Sequence, residues 1–198
     1  MYPPNIQNFI RIFSKLPGIG PKTSERIAFY ILSQSEDFSN KIAESIKAIK
    51  KETKKCSECG NIGLSDPCNI CKDENRDKSK ICVVESALDI YAIEELNSYK
   101  GLYHCLDGLI SPLHGVTPDK INIKKLINKI KEKEIKELIF ALSATPEGDL
   151  TIFYIKDLLK DINIKITALA RGIPVGTGLQ YASSKSLLEA LKGREEVK

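Results

Sequence analysis

The chain has 198 residues, 42% of them hydrophobic, with 30 Lys and Arg against 26 Asp and Glu. That suffices for one large core or two smaller ones, while no apolar run approaches the ~20 residues of a membrane-crossing helix. The charge is uneven: residues 1–55 carry 10 basic and 5 acidic residues, whereas residues 79–173 carry 13 of each. The N-terminal excess suits an anionic partner or a solvated lysine face.

Ile6, Phe9, Ile10 and Phe13 recur at helical spacing until Leu16-Pro17-Gly18-Ile19-Gly20-Pro21-Lys22 interrupts them. Pro17-Gly18 predicts a tight turn, Gly20 leaves it without a Cβ clash, and Pro21 suits the first turn of a second helix with Ile27, Ile31 and Leu32 inward. This is a helix–hairpin–helix pattern. Gly18 and Gly20 let backbone N–H groups approach a phosphate at a helix N-terminus, and Lys22 and Arg26, one turn apart, add charge on the same side. Such contacts grip DNA backbone without reading sequence; the alternative is an ordinary αα-hairpin. A third helix, near Phe38 to Thr53 with Ile42, Ile46 and Ile49 inward, completes a first domain over residues 1–54.

Residues 55–78 hold two C-x-x-C pairs, Cys56 with Cys59 and Cys68 with Cys71, separated by eight residues. Pairs so spaced supply the four soft ligands of a tetrahedral, closed and therefore structural zinc site. Two disulfides are the alternative, but Met1-Tyr2-Pro3-Pro4 does not resemble a signal peptide, so a reducing cytoplasmic setting is expected. Gly60 stands where the first turn wants positive φ, and Lys72 replaces the glycine expected after the second pair. Its position predicts a clip between two domains.

After a polar connector, Lys72 to Lys80, the pattern becomes strands alternating with helices over residues 79–174. Ile81 to Val84, Leu102 to Leu106, Leu138 to Leu142 and Ile164 to Leu169 read as buried parallel strands; Ala87 to Leu96, a Lys-rich stretch with Ile123, Leu126, Ile127 and Ile130, and Leu150 to Leu159 read as helices. Cys82 and Cys105 belong to the core, and His104 and His114 read as packing or surface residues. Glu85 ends the first strand, and Glu147-Gly148-Asp149 follows the third, so Glu85, Glu147 and Asp149 can meet at the carboxyl-end crevice where such sheets place ligands. Oxygen donors of this kind suit Mg²⁺, although surface carboxylates are common. The segment 175–198, with an extended stretch at Leu179-Gln180-Tyr181 and a short helix carrying Leu187, Leu188 and Leu191, is too small to fold alone.

The order of these parts, with Leu16-Pro17-Gly18-Ile19-Gly20, Ile81-Cys82-Val83-Val84-Glu85, Glu147-Gly148-Asp149 and Ala170-Arg171-Gly172-Ile173-Pro174-Val175-Gly176, resembles the RecR family of bacterial recombination mediators. The resemblance spans nearly the whole chain. It implies an α+β multidomain fold: helix–hairpin–helix, four-cysteine zinc finger, Toprim-type α/β domain and assembly tail. It also implies DNA repair, loading of recombinase on single-stranded DNA at gaps together with RecO and RecF, and a ring-shaped tetramer closed by the tail and the helix–hairpin–helix region. The chain departs from the family at Ser143-Ala144, where Asn-Pro is usual, and at Pro146, Gly178, Gln180 and Ser183.

Two functions remain open. One is a non-catalytic mediator that binds single- and double-stranded DNA; the other is a Toprim nuclease or topoisomerase-like enzyme using Mg²⁺ at Glu85, Glu147 and Asp149. The sequence offers no tyrosine in a recognisable catalytic setting and no G-x-x-x-x-G-K-[ST] loop, so neither strand cutting nor ATP hydrolysis is expected of it.

Overall fold

The computed structural model describes residues 2–196. The chain forms two compact units, one ending at Thr53 and the other beginning at Lys54.

The first unit is helical. α1 (Pro4–Phe13) and α2 (Pro21–Ser33) both begin on a proline, at the position where an N–H would have no intrahelical acceptor. α3 (Glu36–Glu52) is capped by Ser35, whose hydroxyl accepts from the Phe38 amide at 3.3 Å; acids in its first turn and lysines in its last complement the helix dipole. Phe9 and Phe13 stack at 3.9 Å between ring centroids, and Ser24 and Ala28 are buried on α2. The expected inward row is only partly covered. Ile27, Ile31 and Ile42 are half-buried, whereas Leu32, Ile46 and Ile49 are exposed, because so small a unit lacks the surface to cover every apolar side chain.

The second unit starts with the cysteine module. β1 (Lys54–Lys55) and β2 (Ile62–Gly63) pair antiparallel around the first cysteine pair, and Cys68 caps α4 (Asn69–Lys72), a single turn that carries Cys71. Because that pair lies on a helical turn, Lys72 needs no positive φ; Gly60, at φ +78°, does need glycine's freedom.

β3 (Asp77–Val84), β4 (Gly101–Cys105), β5 (Glu137–Ala141) and β6 (Lys165–Ala168) form an all-parallel sheet in the order β4-β3-β5-β6. α5 (Ala87–Glu94), α6 (Ile123–Glu132) and α7 (Pro146–Leu158) lie in the connections. Ile81 and Val83 join one core with Leu126, Leu138, Phe140 and Ile155; Cys82 and Val84 join another with Ile90, Tyr103 and Cys105. The continuous apolar run is thus one strand buried on both faces.

Three expectations need correction. β3 begins at Asp77, so the end of the polar connector is strand; Arg76 fastens it by donating to Glu94 Oε1 at 2.9 Å and to the Gly101 carbonyl at 3.1 Å. α7 begins at Pro146 because Thr145 caps it, its hydroxyl accepting from the Gly148 amide at 3.2 Å. Leu179–Tyr181 is a 3-10 turn and not an extended stretch, closed by the Tyr181 amide on the Gly178 carbonyl at 2.9 Å. α8 (Ser184–Lys192) follows and meets its own unit where Ala190 faces Gly172 and Lys185 Nζ donates to the Ala144 carbonyl at 3.2 Å. Among the described residues, no helix is long and apolar enough to cross a membrane.

Candidate functional sites

Between α1 and α2, Gly18 adopts φ +75° and Gly20 precedes α2 with φ −87°. The Ile19 amide donates to the Leu16 carbonyl at 3.1 Å, and the Ser14 and Ser24 hydroxyls meet at 3.0 Å beneath the turn. Lys22 and Arg26 are exposed on α2, whose first turn contains no acidic residue. The result is a rigid turn leading into an uncompensated positive helix end, with two cations beside it.

The sulfurs of Cys56, Cys59, Cys68 and Cys71 all lie within 4.8 Å of one another, with Cys56–Cys71 at 3.9 Å and Cys59–Cys68 at 3.6 Å. Four sulfurs bound ~2.3 Å from a single ion stand about 3.8 Å apart, so the quartet fits a tetrahedral metal. All six cysteines of the chain are free thiols. The Asn61 amide donates to Cys59 Sγ at 3.4 Å and the Cys68 amide to Cys56 Sγ at 3.3 Å. A hydrogen bond from the Cys71 thiol draws Cys59 down to about 5, and the same contact pushes Cys71 up. Closely packed thiols resist joint ionisation unless a cation joins them. Cys82 and Cys105 lie apart from this quartet, buried in the core, and burial pushes both up to about 12.

The module is fastened to the α/β fold. The Cys105 amide donates to the Cys59 carbonyl at 2.7 Å, Tyr91 donates its hydroxyl to the Ile62 carbonyl, and Lys55 pairs with Asp107. Across from it, Lys125 and Lys129 on α6 and Lys133 at its C-cap all reach the Ser57-Glu58 segment. The hydrogen bond from Lys133 holds the Glu58 carboxyl below its ordinary range.

At the carboxyl end of the sheet, Glu85 and Glu147 line a cleft of about 380 Å³ with Leu109, Ser111, His114, Val116, Ser143 and Thr145. Ser143 donates to Glu85 Oε2 at 2.6 Å, and the Ser111 hydroxyl meets His114 Nδ1 at 2.8 Å. Buried Thr151 locks the wall: its hydroxyl donates to the Glu147 carbonyl at 2.7 Å and accepts from the Ile110 amide at 2.9 Å. Asp149 is not a lining residue of that cleft. It pairs with Arg171, whose hydrogen bond holds the Asp149 carboxyl below the usual carboxylate range. Among the described residues the cysteine quartet is the group whose donors converge tightly enough for a metal, and the three carboxylates do not form a second one. Glu147 and Asp149 lie in the first turn of α7, where the helix dipole favours acids.

Comparison with known proteins places these features in one lineage. Residues 6–50 match the family described as RecR, helix-hairpin-helix, and residues 79–170 match the Toprim domain. The chain is 48% identical over 196 residues to recombination protein RecR of Staphylococcus saprophyticus, covering 99% of each chain. It is 48% identical to recombination protein RecR of Streptococcus thermophilus and 47% to that of Streptococcus gordonii, each over 197 residues and 100% of both chains.

The chain belongs to the RecR family.

In this RecR-family chain, sequence reasoning missed Arg171 as the partner of Asp149, His114 and Ser111 as cleft residues, and the lysine row of α6 as a contact with the cysteine module. Arg171 was visible only as part of a motif, and nothing local ties it to Asp149. The lysine row did have a signal, since Lys125, Lys129 and Lys133 recur every four residues, but a solvated helix face has the same spacing. His104, in contrast, is a packing residue: its Nε2 donates to the Asn122 carbonyl at 2.9 Å and it is 1% exposed.

Proposed function

We propose that this chain is a non-catalytic, DNA-binding recombination mediator that helps load recombinase on single-stranded or gapped DNA, together with RecO and RecF. The observation that carries the reading is the Gly18–Gly20 hairpin, which leaves exposed Lys22 and Arg26 beside an α2 N-terminus free of acids. Backbone amides and cations so placed grip phosphates irrespective of sequence, as a mediator acting at any gap requires. We assign the hairpin contacts to Gly18, Gly20, Lys22 and Arg26 on both single- and double-stranded DNA.

Zinc is the metal that four thiolates in a closed tetrahedral set suit best, and Cys56, Cys59, Cys68 and Cys71 would hold it in a structural role. The domain limits we adopt are 1–54, 55–78, 79–174 and 175–198. The protein acts in the cytoplasm, on the nucleoid during repair, as a ring-shaped tetramer. Exposed apolar residues in the first unit, Leu32, Ile46 and Ile49, and in the tail, Leu179, Tyr181 and Leu191, supply surface for two kinds of subunit contact.

Glu85, Glu147 and Asp149 serve the assembly with DNA and RecO in this reading, not hydrolysis. Glu85 is engaged by Ser143 and Asp149 by Arg171, so two of the three are committed to side-chain partners that a Mg²⁺ trio would need to release. The test is incubation of the protein with labelled gapped DNA and Mg²⁺, followed by native and denaturing gels. Retention of intact DNA by the parent, with altered RecO binding in Glu147→Gln, supports the mediator; Mg²⁺-dependent cutting that Glu147→Gln abolishes supports a Toprim enzyme instead.

A further inference from the structure

Three lysines spaced four residues apart, Lys125 and Lys129 on α6 and Lys133 at its C-cap, converge on the short segment inside the first cysteine pair. Lys125 Nζ donates to the Ser57 carbonyl, Lys129 Nζ to the Glu58 carbonyl at 2.6 Å, and Lys133 Nζ to Glu58 Oε2 at 3.1 Å. The central one, Lys129, is only 8% exposed. An ammonium so far removed from water requires negative charge close by.

Glu58 provides one such charge and already pairs with Lys133. The carbonyl that Lys129 reaches belongs to the residue next to Cys59 of the quartet, so the nearest further source of negative charge is a set of thiolates held by a metal. A divalent ion held by four thiolates carries two net negative charges, here in a pocket where Cys56, Cys59 and Cys68 are buried. Two backbone amides reach the sulfurs, from Asn61 and Cys68, but amides bring only partial charge.

We propose that Lys125, Lys129 and Lys133 form the positive outer layer of the metal centre, balancing its four thiolates and making the seating of α6 depend on metal occupancy. The proposal rests on reading the cysteine quartet as a metal site. Ligands and lysines lie on different elements, the ligands around β1, β2 and α4 and the lysines on α6 and its C-cap, so their attraction acts across the contact between module and sheet domain. The coupling is reciprocal. Lysines that favour the metal-bound thiolates are favoured by the metal in turn, and without it Lys129 stays buried with less negative charge beside it.

The test uses the full chain, zinc as the probe ion and a competing chromophoric chelator. Lys129→Met is expected to bind zinc about tenfold more weakly, with Lys129→Arg close to the parent. In excess chelator, Lys129→Met should be at least as stable as the parent, because it removes an uncompensated buried cation; a merely structural lysine would weaken both states alike. Hydrogen exchange over residues 123–132 should speed up when zinc is withdrawn from the parent. The exposed pair, changed together as Lys125→Gln and Lys133→Gln, should lose about threefold in zinc affinity at low salt and little at high salt. If Lys129→Met does not fold, that pair decides. A parent holding one zinc per chain, with unchanged affinity in the variants, overturns the proposal alone. A parent that holds no zinc overturns the metal reading, and this proposal falls with it.

Discussion

The backbone amide of Cys105 donates to the carbonyl of Cys59 at 2.7 Å, so the end of β4 is hydrogen-bonded to a residue of the cysteine quartet. Gly60 permits the approach: a Cβ there would stand 3.0 Å from Cys105 Cβ, at a φ of +78° that other residues rarely adopt. The module is therefore part of the α/β unit, so removal of a metal from the proposed site should be felt in the sheet.

Cys59→Ser is expected to abolish stoichiometric zinc and to lower the melting temperature of the second unit. Structural zinc contributes on the order of 10 kcal/mol to the folding of small modules, and the seam at Cys105 transmits part of that. Metal analysis with thermal unfolding checks this; full zinc occupancy or an unchanged melting temperature in the variant would contradict it.

Gly148→Ala should cost about 2 kcal/mol. A Cβ at Gly148 would stand 2.0 Å from the Ser143 carbonyl oxygen, a backbone atom that cannot step aside without moving the cleft wall. Urea unfolding gives the number, and a fully stable variant would show that the turn between β5 and α7 is looser than this geometry.

Acid sensitivity should centre on His104. Burial lowers its imidazole from 6.5 to about 4; Lys129 and Lys125 act in the same direction, while the Asn122 carbonyl and Asp107 oppose them. The unfolded chain then binds this proton more readily than the folded one. The stabilisation is complete above pH 6.5 and is lost as pH falls from there through about 4, on the order of 3 kcal/mol at full extent. His104→Gln should flatten the dependence of stability on pH in that window by about one proton, and an equally steep profile in the variant would reassign the effect.

The α/β core was readable in the sequence because Ile81 to Val84 and Leu138 to Leu142 are continuous apolar runs, which a strand buried on both faces requires. The convergence of the cysteines was readable for a local reason too, since C-x-x-C spacing is set within one turn. What escaped depends on contacts between elements. The apolar pattern of α7 starts at Leu150, so periodicity alone hid the first turn that Thr145 caps and that holds Glu147 and Asp149. Ile46 and Ile49 have the spacing of an inward face, but their unit has nothing to lay over them. Lys129 has the spacing of a solvated face, but it is buried and reaches the Glu58 carbonyl of a distant segment.

If the proposed ring forms, removal of residues 176–198 should give species smaller than the parent and a disproportionate loss of DNA affinity, because linked weak sites gain avidity only in the closed assembly. Zinc should be retained, since the described tail meets its own unit at Gly172 and Ala144, outside the quartet. Light scattering showing one tetrameric mass before and after deletion would refute the tail's part in assembly.

The central claim, that the Gly18–Gly20 hairpin grips DNA backbone, is tested most directly by the salt dependence of single-stranded DNA binding in the parent and in the double variant Lys22→Ala, Arg26→Ala. Each phosphate contact on a single strand adds about 0.7 to the slope of log affinity against log salt, so losing two cations should reduce the slope by about 1.4 and weaken binding similarly for unrelated sequences. An unchanged affinity and slope in a folded double variant would contradict the account and place the DNA on another surface.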